Sequence, residues 1–211
     1  MENEKLFPFN TCEKPNQSGI AQPYSVSINI LSCLIVLFFL VQSKSIYSFV
    51  FLFFILLFQL FHAFSHCLHI SNSIQTNMIH MIAYLVNLSN FILLYHYTHS
   101  FPATWFFIVL FVLVCMDFYF LFFEDTLYYV VSQFIIILFI YFYYYPLLPK
   151  FIQRSIFSIS FFIIVISIII FNEKINCKKM LEFFPHFPFH ILVEITGLII
   201  FYIIASNFYK L

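Results

Sequence analysis

Seven apolar runs, each about as long as a membrane is thick, constrain this chain more than anything else in it. They cover residues 25–43, 46–70, 78–98, 102–123, 126–146, 153–171 and 185–208. A helix of about 20 residues crosses the hydrocarbon of a bilayer. The separators are short and carry the polar punctuation: "QSKS", "SNSIQTN", "HYTHSFP", "ED", "PLLPK" and "FNEKINCKKMLEF". Backbone groups in lipid must bond within a helix or a closed barrel. A barrel needs alternating segments of about 10 residues, whereas these runs are apolar on every side, so they read as helices. The expected fold is an all-α integral membrane protein: a seven-transmembrane helix bundle over residues 25–211, preceded by a polar N-terminal segment, residues 1–24.

Composition narrows the partners. Only 9% of the 211 residues are charged, against about 25% in a soluble domain. The formal net charge is zero, which gives no hint of nucleic acid or another polyanion as a partner. Nothing points to a protein partner either, and no period of roughly 20–50 residues marks a repeat array. The opening "MENEKLFPFNTCEKPNQSG" is acidic and polar, without a basic stretch or small-residue cleavage site. It is not expected to be a signal peptide, and the first apolar run is expected to direct insertion. Basic residues flank both faces: Lys44, Lys150, Arg154 and Lys210 on one, Lys5, Lys14, Lys174, Lys178 and Lys179 on the other. The positive-inside rule therefore does not choose an orientation.

Histidine is expensive within a membrane, yet two apolar runs carry it at their mouths, in "SHCLH" (Ser65 to His69) and "HFPFH" (His186 to His190). Ser65, His66 and His69 end the second span, His80 opens the third, and His186 and His190 open the seventh. An even-numbered helix ends where the next odd-numbered one begins, so all of them meet at one face, the N-terminal one. His186 and His190 are four apart, which puts their Cβ atoms about 6 Å apart on one side of a helix. Both could reach one ion, with His69 as a third ligand, and three protein ligands plus water is the catalytic form of a zinc site. Ser65, four before His69, would point the same way. His62, His96 and His99 are expected to be interfacial. Two intramembrane acids, Asp117 and Glu194, have no obvious Lys or Arg partner, which makes them functional candidates. Cys33, Cys67 and Cys115 lie within spans as packed thiols, while Cys12 and Cys177 fall on the N-terminal side.

These elements resemble the alkaline ceramidases, members of the CREST superfamily of seven-pass membrane hydrolases. "SHCLH" is similar to the family's Ser-x-x-x-His at the end of helix two, and "HFPFHILVEITG" to its helix-seven element. "NEKINC" and "CEKPN…IAQPYSVSIN" resemble its neighbourhoods before helix seven and at the N-terminus. The resemblance implies a zinc ion held by His69, His186 and His190, with Ser65 hydrogen-bonding the attacking water or the developing oxyanion. The implied reaction hydrolyses the amide bond of a ceramide-like membrane lipid to a sphingoid base and a fatty acid, in an endoplasmic reticulum or Golgi membrane with the site lumenal.

Departures from the family pattern keep alternatives open. His80 stands where the family has a water-orienting aspartate, as a general base or as a fourth ligand that would close the site. Glu194 and Asp117 are the other candidates for taking the water's proton or supporting a ligand, and Glu194, one turn below His190, would more readily hydrogen-bond a ligand histidine. The family's calcium site maps onto Asn10, Glu13, Asn16 and Gln22. That set offers one carboxylate where calcium prefers several, so calcium binding is expected to be weak or absent. The resemblance, whose N-terminal and loop cysteines fall at Cys12 and Cys177, also implies a Cys12–Cys177 disulfide and an oxidising compartment. The rival readings are a non-catalytic relative with a structural zinc, serving as lipid receptor or scaffold, and an unrelated seven-pass protein or small channel.

Overall fold

The computed structural model describes residues 19–68, 73–122, 126–184 and 187–211. Seven helices follow one another in these residues: α1 Pro23–Leu40, α2 Ile46–Cys67, α3 Ser73–Thr98, α4 Thr104–Phe122, α5 Thr126–Tyr144, α6 Lys150–Phe183 and α7 Ile191–Phe208. Each contains a stretch long and apolar enough to cross a membrane, and no strand occurs among the described residues. The chain is a multi-pass integral membrane protein with the all-α, seven-helix architecture expected.

Local chemistry explains where the helices start and stop. Pro23 sits in the first turn of α1, where its missing N–H would have been unpaired anyway. Ser45 caps α2 through a reciprocal box: its Oγ accepts from Ser48 N at 3.1 Å, and Ser48 Oγ accepts from Ser45 N at 3.2 Å. Pro146 falls in the short 3-10 turn Tyr145–Leu147 that closes α5, and Pro149 caps α6. Inside α6 the hydroxyls of Ser155, Ser160 and Ser167 donate to carbonyls four residues back at 2.8–2.9 Å. These three hydroxyls are thus satisfied within the helix that carries them.

Helix α1 packs against α2 and α7, α2 against α3, α6 against α7, and α4 against α5. Backbone bonds tie the ends at each face. Gln22 N donates to His66 O at 3.0 Å at the N-terminal face, and Lys44 N to Tyr209 O at 3.0 Å at the other. The interior is segregated along the membrane normal. Away from the N-terminal face it is packed with fully buried Val36, Phe51, Leu52, Tyr141, Ile156 and Phe208. Towards that face the buried residues become polar, among them Asn29, His66, Asp117, Glu173, His190 and Glu194.

Two boundaries differ from the sequence expectation. The seventh span is expected from 185, with His186 and His190 on one helical face, but α7 begins at Ile191 and residues 187–189 ahead of its His190 cap are not helical. Pro188 disfavours helical backbone at the residue before it, so the helical spacing assumed for that pair does not apply. The sixth span was expected to end at 171 with "FNEKINCKKMLEF" as a loop, but α6 runs unbroken through 34 residues. At 1.5 Å per residue that is about 51 Å, well beyond the ~30 Å of hydrocarbon. The segment is rich in the helix formers Glu, Lys, Met and Leu and holds no Gly or Pro. Hydropathy reports lipid exposure rather than helicity, so it does not register such an extension.

The packing predicts unequal costs for adjacent residues of α6. Ile156 is fully buried and Phe157 is 74% exposed on the lipid side. Ile156→Ala is expected to destabilise the bundle by about 2–5 kcal/mol, and Phe157→Ala by no more than roughly 0.5 kcal/mol. Unfolding in bilayer discs by steric trapping measures both; equal losses would contradict this face assignment.

Candidate metal centre

Four side chains from two helix ends meet at the N-terminal face. The last turns of α2 carry His62 and His66, four apart and therefore on one side of the helix. The first turn of α7 carries Glu194, with His190 at its cap. Glu194 Oε1 lies 3.0 Å from His66 Nε2, 3.1 Å from His190 Nε2 and 3.9 Å from His62 Nε2. His62 Nε2 and His66 Nε2 are themselves 3.1 Å apart. Lone pairs cannot face one another at such distances without protons or a cation between them. His62, His66 and Glu194 offer ligand atoms all within 4.8 Å of one another, a group that could hold a metal ion.

The surroundings orient this set. His66 Nδ1 contacts Gln22 Oε1, and an amide oxygen only accepts, so Nδ1 carries the hydrogen and Nε2 presents its lone pair inward. His190 Nδ1 lies 3.1 Å from Glu173 Oε2, which acts on that ring in the same way. Acceptors behind ligand imidazoles fix the tautomer and raise ligand basicity. The second carboxylate oxygen, Glu194 Oε2, accepts from Asn29 Nδ2 at 2.8 Å. Helices α1, α2, α6 and α7 all contribute. Imidazole nitrogens with one carboxylate oxygen suit a first-row transition ion.

Beside the cluster lies a cavity of about 190 Å³, which His62, Glu194 and Asn29 share with His80, Asn87 and Tyr129. Much of the rest of its wall is apolar, including Ile55, Phe58, Ile137, Ile200 and Phe201. His80 stands edge-on to the Tyr129 ring, with ring centres 4.4 Å apart. It faces the cavity and is not one of the four clustered residues.

The other expected site residues distribute as follows. Ser65 is buried, but its Oγ donates to His62 O at 2.6 Å, so the hydroxyl is turned onto its own helix. Glu194, expected behind a ligand, stands at the centre of the cluster. Asp117 belongs to a separate buried network and accepts from Tyr84 Oη, from Ser132 Oγ, and from Gln133 Nε2 at 2.6 Å. Gln22, expected in a calcium-type site, instead contacts His66. Cys177 is disulfide-bonded, while Cys33, Cys67 and Cys115 are free thiols. His69, His186, Asn10, Glu13, Asn16 and Cys12 lie outside the described residues. His62, expected to be interfacial, is one of the clustered ligands. Its four-residue spacing from His66 is the same signal that marks His186 and His190. Glu173 sat in a segment expected to be a loop; it lies within "NEKINC", but that element carried no role for its carboxylate.

Comparison with known proteins finds no matching family model, no matching curated protein and no matching solved structure. The site is therefore interpreted from its own chemistry.

Loss of a clustered ligand should differ from loss of its support. His66→Ala is expected to abolish binding of Co²⁺, whose visible spectrum reports its ligands. Glu173→Gln should weaken it about 10–100-fold, and Ser65→Ala should leave it unchanged. Equal affinity in the wild type and His66→Ala would remove the cluster as a metal centre.

Proposed function

We propose that the chain is a zinc-dependent amide hydrolase of membrane lipids, of the alkaline ceramidase type. The observation that carries this reading is a metal-capable histidine–carboxylate cluster opening onto a largely apolar cavity inside a membrane bundle. Phe58, Ile55, Ile200 and Phe201 suit hydrocarbon, while His62 and Glu194 border the same space. A polar bond carried on a lipid chain would thus lie beside the ligands. The order of histidine-bearing elements along the chain, which resembles that of the alkaline ceramidases, supports the substrate class.

His62, His66 and Glu194 would hold the ion and leave a fourth position for water, with Gln22 fixing the His66 ring and His190, engaged by Glu173, standing beside Glu194. Zinc in such a site lowers the pKa of water towards 7 and polarises a carbonyl. His80 lines the cavity, and an imidazole can both take and return a proton, so it serves as general base and then returns the proton to the leaving amine. Asn29 holds the outer oxygen of Glu194 and keeps that carboxylate directed at the imidazoles. The disulfide at Cys177, near the end of α6 at the site face, supports an oxidising compartment there. A lumenal site in an endoplasmic reticulum or Golgi membrane is the corresponding location.

One observation favours a second reading. His190 Nε2 lies 3.1 Å from Glu194 Oε1; with that third imidazole as a ligand the site would have four, and a four-ligand zinc site is closed and structural. The protein would then bind lipid without hydrolysing it.

Purified protein is expected to contain about one zinc per chain and to release fatty acid from acyl-labelled ceramide. His80→Ala should retain the zinc while losing at least a hundredfold in rate, the lower range for a general base. Zinc at full stoichiometry with no turnover in the wild type selects the structural reading. Absence of zinc refutes both.

A further inference from the structure

Below the metal cluster the cavity has a second polar tier, which the proposed chemistry does not use. Gln59 lies three residues before His62 on α2, one turn deeper in the membrane. Asn87 on α3 and Tyr129 on α5 join it in the wall. These residues are only 1%, 6% and 6% exposed, and Gln59 Oε1, Asn87 Oδ1 and Tyr129 Oη have no hydrogen-bond partner among the described residues. A buried polar atom left unpaired is costly, and here three of them border one space.

The polarity of the tier is set by Asp117. Its carboxylate oxygens accept from Gln133 Nε2 at 2.6 Å, which obliges Gln133 to turn Oε1 the other way. That oxygen accepts from Asn87 Nδ2 at 2.7 Å, so Asn87 is left presenting Oδ1. The amide orientations follow from this chain of partners, in which Asp117 accepts from Tyr84, Ser132 and Gln133. With Gln59 Oε1, the cavity offers at least two acceptors that require a donor, and Tyr129 Oη can serve in either role.

We infer that Gln59, Asn87 and Tyr129 form a recognition subsite for a hydroxyl-bearing lipid, one whose donors lie about one helical turn, roughly 5 Å, from the group held at the metal cluster. This deepens the proposed function and rests on it for taking the ligand to be a lipid amide. Within that class it selects hydroxylated long-chain amides over plain fatty amides. An apolar pocket alone barely separates two such ligands, whereas acceptors left unpaired by the wrong ligand discriminate strongly.

The test is binding rather than turnover, so that it stands apart from the hydrolase reading. A short-chain N-acyl sphinganine with a fluorophore on its acyl end is titrated into the full-length protein in bilayer discs, with and without chelator. The matching N-acyl alkylamine lacking hydroxyls is the second probe. The wild type is expected to prefer the hydroxylated probe by about tenfold or more, as one or two hydrogen bonds allow. Gln59→Leu and Asn87→Leu should each cut that preference roughly threefold to tenfold and leave the hydroxyl-free probe unaffected. Gln59→Leu should also raise the melting temperature of the ligand-free protein, because it removes an unpaired buried oxygen. Asn87→Leu strands Gln133 and can lower stability, so Gln59→Leu is the decisive variant. Equal wild-type affinity for the two probes, or a Gln59→Leu variant that weakens both alike, overturns the inference. A preference that persists in chelated, non-hydrolysing protein upholds the subsite even if the hydrolase reading fails.

Discussion

The bundle depends on how one carboxylate, Glu194, is accommodated. A buried acid within a membrane bundle is costly if unsupported. Here its oxygens draw in His62 and His66 from α2, His190 from the cap of α7 and Asn29 from α1. His190 in turn engages Glu173 of α6, and His66 engages Gln22 ahead of α1. Four helices are thereby registered against one another by directional contacts, where apolar packing in lipid supplies no hydrophobic drive between helices. Removing one partner from such a group leaves an uncompensated charge, which is far worse than never having built the group.

The cluster and the cavity serve different physical needs that the bundle meets in sequence along the membrane normal. Ligand atoms gather near the face, where ions and water arrive. The acceptors of Gln59 and Asn87 lie deeper, and Ile55 of the same wall lies a further turn down α2 from Gln59. A lipid entering such a gradient would have its polar groups sorted by depth before any bond is broken, consistent with the proposed amide hydrolysis. His80 belongs to the same cavity through α3, although α3 contributes nothing to the ligand cluster.

What could be read from the sequence follows from the signal each feature leaves. The seven spans were legible because lipid tolerates few charges, and the apolar runs stand out against short polar separators. The length of α6 was not, since a helix that leaves the membrane changes its surroundings without changing its backbone. Convergence of helices two and seven at one face followed from counting spans, and His190 and Glu194 were marked by it. The register on α2 was harder. "HAFSHCLH" contains His62, His66 and His69, and two of the three possible pairs lie three or four residues apart. Spacing alone cannot say which rings turn inward. The roles of Gln22, Asn29 and Glu173 depend on contacts between residues far apart in the chain, for which a single sequence holds no signal.

The segregation of the interior bears on how this chain can vary. In the apolar half, Phe51, Leu52, Ile156 and Phe208 interact through short-range packing, so exchanges at well-separated positions should combine nearly independently. In the polar half, many side chains share Glu194 or Asp117, and the effect of one replacement is conditional on the others present. Divergence would therefore proceed by gradual, single exchanges in one half of the bundle. In the other it would proceed by concerted sets, so that two descendants of this chain could look unrelated across the helices while differing by a single coordinated change at the site.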